Sequence, residues 1–268
     1  MKLIRTALLA LAALAIALPA VAQQPASRPY VVLKNGRRVE GTAIKSISGI
    51  LTLTLPNGQA QQFKPDEYVS AGGGPKPQSL TAAEAALRSK NYDQAISNFQ
   101  AAAKECKGLD HGITATIGLA KAYIGKGDSA SAVKTYDALA ASTPAVKQNA
   151  EFAWGRREAL LAAKQYGPLV RDLDTLASSG SRADAARAQN MRGDIQLAQN
   201  NVNDAVLDYL RTAVLFTDVT DPEIQGEACY KAAEALAVLR DPRSKDLYRK
   251  VVEKYPSSSY AAAARGKM

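Results

Sequence analysis

ITATIGLAKAYIGKGDSASAVKTYDALAASTP, residues 113–144, decides how this chain is organised. Leu119-Ala120, Tyr123, Gly127, Ala132, Tyr136, Leu139 and Pro144 fall where a helix–turn–helix hairpin needs them. Ala120 and Ala132 are small, so two antiparallel helices can approach closely, and Tyr136 fills the space beside them. Gly127 ends the first helix, Asp128 or Ser129 caps the second, and Pro144 stops it. One such hairpin cannot bury its apolar face alone, so it predicts neighbours.

The same small–x3–aromatic spacing recurs as Ala95/Phe99, Ala132/Tyr136, Leu169/Leu173, Ala205/Tyr209 and Ser244/Tyr248, in steps of 37, 37, 36 and 39 residues. Leu169/Leu173 departs from the small–aromatic rule, which places larger side chains between the helices of the third unit. Pro256 stands 12 residues after Ser244, as Pro144 does after Ala132. Over residues 79–268 this pattern resembles the tetratricopeptide repeat family, whose unit is a helical hairpin of roughly 34 residues. The fold expected is therefore mainly α: a tetratricopeptide-type α-solenoid of about five hairpins plus a capping helix, over residues 80–268. The last segment, SSSYAAAARGKM, supplies the cap.

Ahead of the hairpins the periodicity changes. Tyr30–Ser70 carries β-branched residues in short runs, punctuated by Asn35-Gly36 and Asn57-Gly58, the pairs that two-residue hairpin turns require. Ile50, Thr52, Thr54 and Leu51, Leu53, Leu55 alternate to opposite faces. Four or five strands over residues 30–70 can curl into a small β-barrel-like module, similar to SH3-like or Sm-like barrels. Such a module is too small for much stability unless it docks on its neighbour. Ala71–Ser79, AGGGPKPQS, reads as a linker.

Residues 1–22 have a positive start (MKLIR), an apolar run of about a dozen residues and Ala20-Val21-Ala22, the anatomy of a cleaved secretory signal peptide. Gln23 follows, not a lipid-accepting Cys, so the expected product is periplasmic or secreted, with no membrane span after cleavage. From Gln23 onward the net charge is +7. Export argues against nucleic acid, and the excess reads as a solvated basic surface or as attraction to an acidic face. Cys106 and Cys229 lie in the first and last hairpins, so two separate thiols are expected rather than a bridge.

Catalytic chemistry needs groups that converge, and the pattern offers none. His111 is the sole histidine and reads as an inter-repeat loop residue. AGGGPKP lacks the Lys-Ser/Thr ending of a phosphate loop, and Asp172/Asp174 and Glu223/Glu227 read as solvent-facing or helix-start charges. There is no Cys or His spacing for a metal. The expectation is a non-enzyme with no cofactor.

What remains is binding. In the family the resemblance points to, successive first helices line a concave groove. Carried over by register, Thr114, Ile117 and Lys121 of the second repeat would face it, with Arg156 or Arg157 of the third and Arg187, Asn190 and Asp194 of the fourth. Ile117 would give an apolar floor, while Lys121, Arg156 and Arg187 would suit an extended segment with acidic side chains. Trp154 reads as core, and as an interaction anchor only if exposed. LYRKVVEKYPSSSYAAAA resembles the closing repeats of bacterial periplasmic tetratricopeptide proteins, which implies a scaffold for another envelope protein. The alternative is a cell-wall or surface-polymer binder that grips through the β module; Tyr30, Phe63 and Tyr68 are its aromatic candidates.

Overall fold

The computed structural model describes residues 28–268, so the expected signal peptide lies outside the described residues. The chain begins with six short strands: β1 (Tyr30–Leu33), β2 (Arg38–Glu40), β3 (Ala43–Ile47), β4 (Ile50–Thr54), β5 (Ala60–Phe63) and β6 (Tyr68–Gly72). They pair as two antiparallel three-stranded sheets, β2-β1-β6 and β3-β4-β5, and among the described residues no ladder joins the two into a closed barrel. Asn35-Gly36 turns β1 into β2 and Asn57-Gly58 turns β4 into β5, with φ of +81° and +84° at the two glycines. The alternation along β4 sends Leu51 and Leu53 inward, where they meet Val31, Phe63 and Ala71.

This small core is completed from outside. Cys106 and Leu109, at the junction between the second and third helices, belong to the same apolar cluster. Ser46 Oγ donates to the carbonyl of Lys107 at 2.5 Å, and Tyr30 donates to Asp110 at 3.4 Å. The module is therefore docked on the helices, as its size demands. The expected linker is shorter than its glycines suggest, because Ala71 and Gly72 pair with Val31 and Tyr30 in β6. Gly72 faces Asp110 so closely that a Cβ there would come within 1.7 Å of its carboxylate.

From Gln78 the described chain is helical: α1 (Gln78–Arg88), α2 (Tyr92–Glu105), α3 (Asp110–Lys126), α4 (Ser129–Ser142), α5 (Ala150–Ala162), α6 (Tyr166–Ser179), α7 (Arg182–Ala198), α8 (Val202–Leu215), α9 (Pro222–Val238), α10 (Arg243–Lys254) and α11 (Ala261–Arg265). Consecutive helices form five antiparallel hairpins, and the second helix of each packs on the first helix of the next. The hairpins share one turn. A residue with φ between +56° and +88° ends each first helix: Lys90, Gly127, Lys164, Asn200 and Arg240. In the first four hairpins the next residue is the N-cap of the second helix, and Asn91 and Asp128 cap it by accepting from the backbone N–H of Gln94 and Ser131. Glycine is thus present at one of five positions where the backbone favours it.

The small residues do the expected work. Ala95, Ala132 and Ala205 are fully buried, and so are Tyr136 and Tyr209. Gly118 lies under Phe99, Gly155 under Tyr136 and Gly193 under Tyr209, each at a distance that leaves no room for a Cβ. In the third hairpin Leu169 and Leu173 take the inner positions, and α5 and α6 touch along less of their length than the other hairpin partners. α5 is also four residues shorter than α3, because Pro144–Gln148 forms a 3-10 turn in place of its first turn. Pro168 sits third in α6, among the positions whose N–H has no partner within the helix. α11 closes the end, with Ala261 and Ala264 packed beside Tyr248 and Val251.

His111 is a helical residue, not a loop residue: it lies in the first turn of α3, half-buried, with Nε2 shut off from solvent and unpaired. Cys106 and Cys229 are both buried and free, in different apolar clusters.

Candidate partner-binding face

The first helices α3, α5, α7 and α9 share one face, and side chains bridge it from helix to helix. One position recurs along it: Glu84, Lys121, Glu158, Asp194 and Lys231, separated by 37, 37, 36 and 37 residues. One turn earlier come Leu80, Ile117, Trp154, Asn190 and Glu227, of which the first four are buried. The inner row supplies packing and the outer row supplies charge, as expected of residues four apart on one helical face.

At one end Lys121 Nζ meets Glu151 Oε1 at 2.7 Å. At the other, Lys231 Nζ lies 2.8 Å from Asp194 Oδ1 and 2.7 Å from Glu227 Oε1. Tyr209 donates to Asp194 at 2.8 Å, and Asn190 donates to Glu227 and to the carbonyl of Ile224, both at 3.1 Å. Burial opposes the Lys231 charge, but Asp194 and Glu227 outweigh it and hold the ammonium well above its ordinary pKa. Burial raises Tyr209, with Asp194 adding to the shift, and burial together with Glu227 pushes Tyr260 up to about 12. At this end of the face the charges are paired with one another, and the Asn190 Oδ1 is left buried without a partner.

Between the two ends the charges are not satisfied by each other. Arg187 lays its guanidinium carbon 4.1 Å from the centroid of the Trp154 ring, where α5 and α7 approach less closely than the other first-helix neighbours. Glu158 stays in contact with solvent yet has protein on several sides; this partial desolvation raises its carboxyl pKa, against the pull of Lys121 and Arg187. Neither side chain has a hydrogen-bonded or ion-pair partner among the described residues.

Of the residues expected on this face, Lys121, Arg187 and Asp194 are on it. Ile117 is 2% exposed and Asn190 1%, so both are interior: Ile117 belongs to the core around Tyr136, and Asn190 spends its amide on α9. Neither is an accessible floor. Arg156 points elsewhere. It pairs with Asp137 of the preceding second helix at 2.8 Å, as Arg192 pairs with Asp174 one repeat later, and it lines a cleft of about 440 Å³ with Lys147, Phe152, Arg157 and Asp172. Arg157 is buried, 4.7 Å from the Trp154 ring and in ion-pair contact with Asp172. The third-repeat residue on the face is Glu158, two positions further along α5, or about 200° of helical rotation from Arg156. The 36–37-residue step that aligns Lys121 with Asp194 points to it. The face is therefore not a basic stripe: Lys121, Arg187 and Lys231 stand among Glu151, Glu158, Asp194 and Glu227.

The aromatic candidates on the β module do not form an exposed platform. Phe63 is buried, Tyr68 is half-buried and donates to the carbonyl of Gly49, and Tyr30 is covered by Arg38 at 3.6 Å. Among the described residues no helix is long and apolar enough to cross a membrane.

No curated protein matches the chain. The tetratricopeptide repeat family matches residues 227–258, which run from the second turn of α9 to just past α10.

Proposed function

We propose that this protein is a non-catalytic scaffold, an α-solenoid of tetratricopeptide type, that holds an extended segment of another protein against its first-helix face. We place it outside the cytoplasm, in the cell envelope, on the strength of the signal-peptide pattern in residues 1–22. The observation that carries the binding reading is the charged row Lys121, Glu158, Asp194 and Lys231. It repeats at the repeat period, on a rigid surface built before any ligand arrives. The tetratricopeptide match in the fifth hairpin supports the same reading, since such repeats generally bind other proteins. The partner expected from Lys121, Arg156 and Arg187 alone was acidic; with Arg156 on another face and four carboxylates beside the cations, a segment of mixed charge fits better.

Site-specific photocrosslinking tests this. A benzoylphenylalanine is placed at Glu151 on the first-helix face, or at Leu207, which is exposed on α8. Adducts formed in intact cells are recovered from envelope and cytoplasmic fractions, and the crosslinked peptide is sequenced. One partner segment caught from position 151 and not from 207, in the envelope fraction, is the expected result. Adducts from 207 alone refute the face, and a wholly cytoplasmic protein refutes the location.

A further inference from the structure

We infer that the middle of the first-helix face is a two-charge reader: Glu158 takes a basic side chain and Arg187 an acidic one, both presented on the same side of an extended segment. This inference rests on the scaffold reading and narrows it to a sequence preference.

Every other charge named on this face has found a partner: Lys121 with Glu151, and Lys231 with Asp194 and Glu227. Glu158 and Arg187 have opposite charge, stand on neighbouring first helices and lie within each other's field, yet they do not bond to one another or to another carboxylate or cation among the described residues. Arg187 is held instead by the Trp154 ring, and α5 and α7 are thinly packed at this point. The ring contact leaves the guanidinium N–H groups without an acceptor among the described residues, and a guanidinium matches a carboxylate in two-point geometry. Glu158, partly desolvated, is a carboxylate whose ionised form gains from any cation brought to it. Side chains two apart on an extended strand point the same way and are about 6.6–6.8 Å apart. Closely packed helices are about 8–10 Å apart, and α5 and α7 approach less closely than the other first-helix neighbours. Long side chains from a segment lying across α5 and α7 make up the difference.

The shape of the face agrees. The charges at its two ends are already paired within the protein, so they add less selectivity. Selectivity concentrates where the protein leaves a charge of each sign uncompensated, because a ligand lacking either partner keeps one of them unpaired.

The test uses the full-length protein and four fluorescein-labelled ten-residue Ser/Gly peptides: one with Lys and Glu two residues apart, one with Lys alone, one with Glu alone, and one with neither. Fluorescence anisotropy at two salt concentrations reads binding. The Lys–Glu peptide is expected to bind at least tenfold more tightly than the uncharged one, with single-charge peptides between. Glu158→Gln removes the advantage of Lys and keeps that of Glu; Arg187→Gln does the reverse, and circular dichroism stays unchanged in both. As pH falls and Glu158 protonates, the Lys advantage fades while the Glu advantage outlasts it. Four peptides of equal affinity, no binding by any of them, or variants that weaken all peptides by one factor overturn the inference. If position 151 still captures a partner while the peptides fail to discriminate, the reader is wrong and the scaffold stands. If capture comes from position 207 alone, the scaffold reading itself falls.

Discussion

Tyr136 and Tyr209 hold equivalent places in the second and fourth hairpins, both fully buried, and differ in one atom's fate. The Tyr209 hydroxyl donates to Asp194 at 2.8 Å. The Tyr136 hydroxyl is buried against Gly155 with no partner. Replacing each by Phe therefore gives opposite signs. A buried, unsatisfied polar group costs about 1–3 kcal/mol, so Tyr136→Phe is expected to stabilise by about 1 kcal/mol after the loss of some oxygen contacts. The ring itself keeps its edge-on contact with Phe152, 5.4 Å between centroids. A hydrogen bond to a charged group contributes about 1.5–3 kcal/mol, so Tyr209→Phe is expected to destabilise by that amount, with Asp194 still held by Lys231. The two variants should differ in melting temperature by roughly 5 °C or more in a chain of this size. Thermal unfolding followed by circular dichroism measures the difference. Fluorescence of Trp154, the only tryptophan and a member of the same apolar cluster as Tyr136, reports the second and third hairpins separately. Shifts of the same sign in both variants would refute the assignment of partners.

Other outcomes can be checked in the same assay. Ala132→Leu inserts three carbons where two helices touch and is expected to cost about 1–3 kcal/mol; an unchanged melting temperature would reject the register of the second hairpin. Lys164→Gly removes a side chain from a left-handed turn residue, φ +56°, and is expected to stabilise by a few tenths to about 1 kcal/mol, with a loss of stability counting against the turn geometry. Glu158 has its folded-state pKa raised, so the folded state binds its proton more tightly and wild type loses stability as pH rises from the ordinary Glu range through that raised value. Glu158→Gln should then be slightly more stable above that window, by a few tenths of a kcal/mol for so exposed a group, and equal below it. Cys106, pushed up to about 11 by burial, and Cys229, raised for the same reason, should label slowly in the folded protein; a Cys106–Cys229 link in non-reducing peptide maps would contradict their separation.

The sequence by itself determined the hairpins. Local chemistry is enough for Ala132 and Tyr136 to mark a close helix contact, for Gly127 and Asp128 to mark the turn, and for Asn35-Gly36 and Asn57-Gly58 to place two β-turns, because each signal sits within a few residues of its effect. It also placed the looser third unit, since Leu169 and Leu173 are too large for the contact an alanine allows. Lys90, Lys164 and Arg240 were silent, because lysine and arginine adopt the left-handed conformation only when the helices on both sides hold them there. Tertiary structure alone decided which polar groups share the first-helix face. Arg156 and Glu158 stand two residues apart, and only the packing of α5 against α3 and α4 fixes which of them turns toward Asp137 and which toward the shared face. The burial of Asn190 and Ile117 was settled in the same way: α9 closes over Asn190, and Ile117 joins the core around Tyr136, at the register position that Leu80 and Trp154 also hold buried.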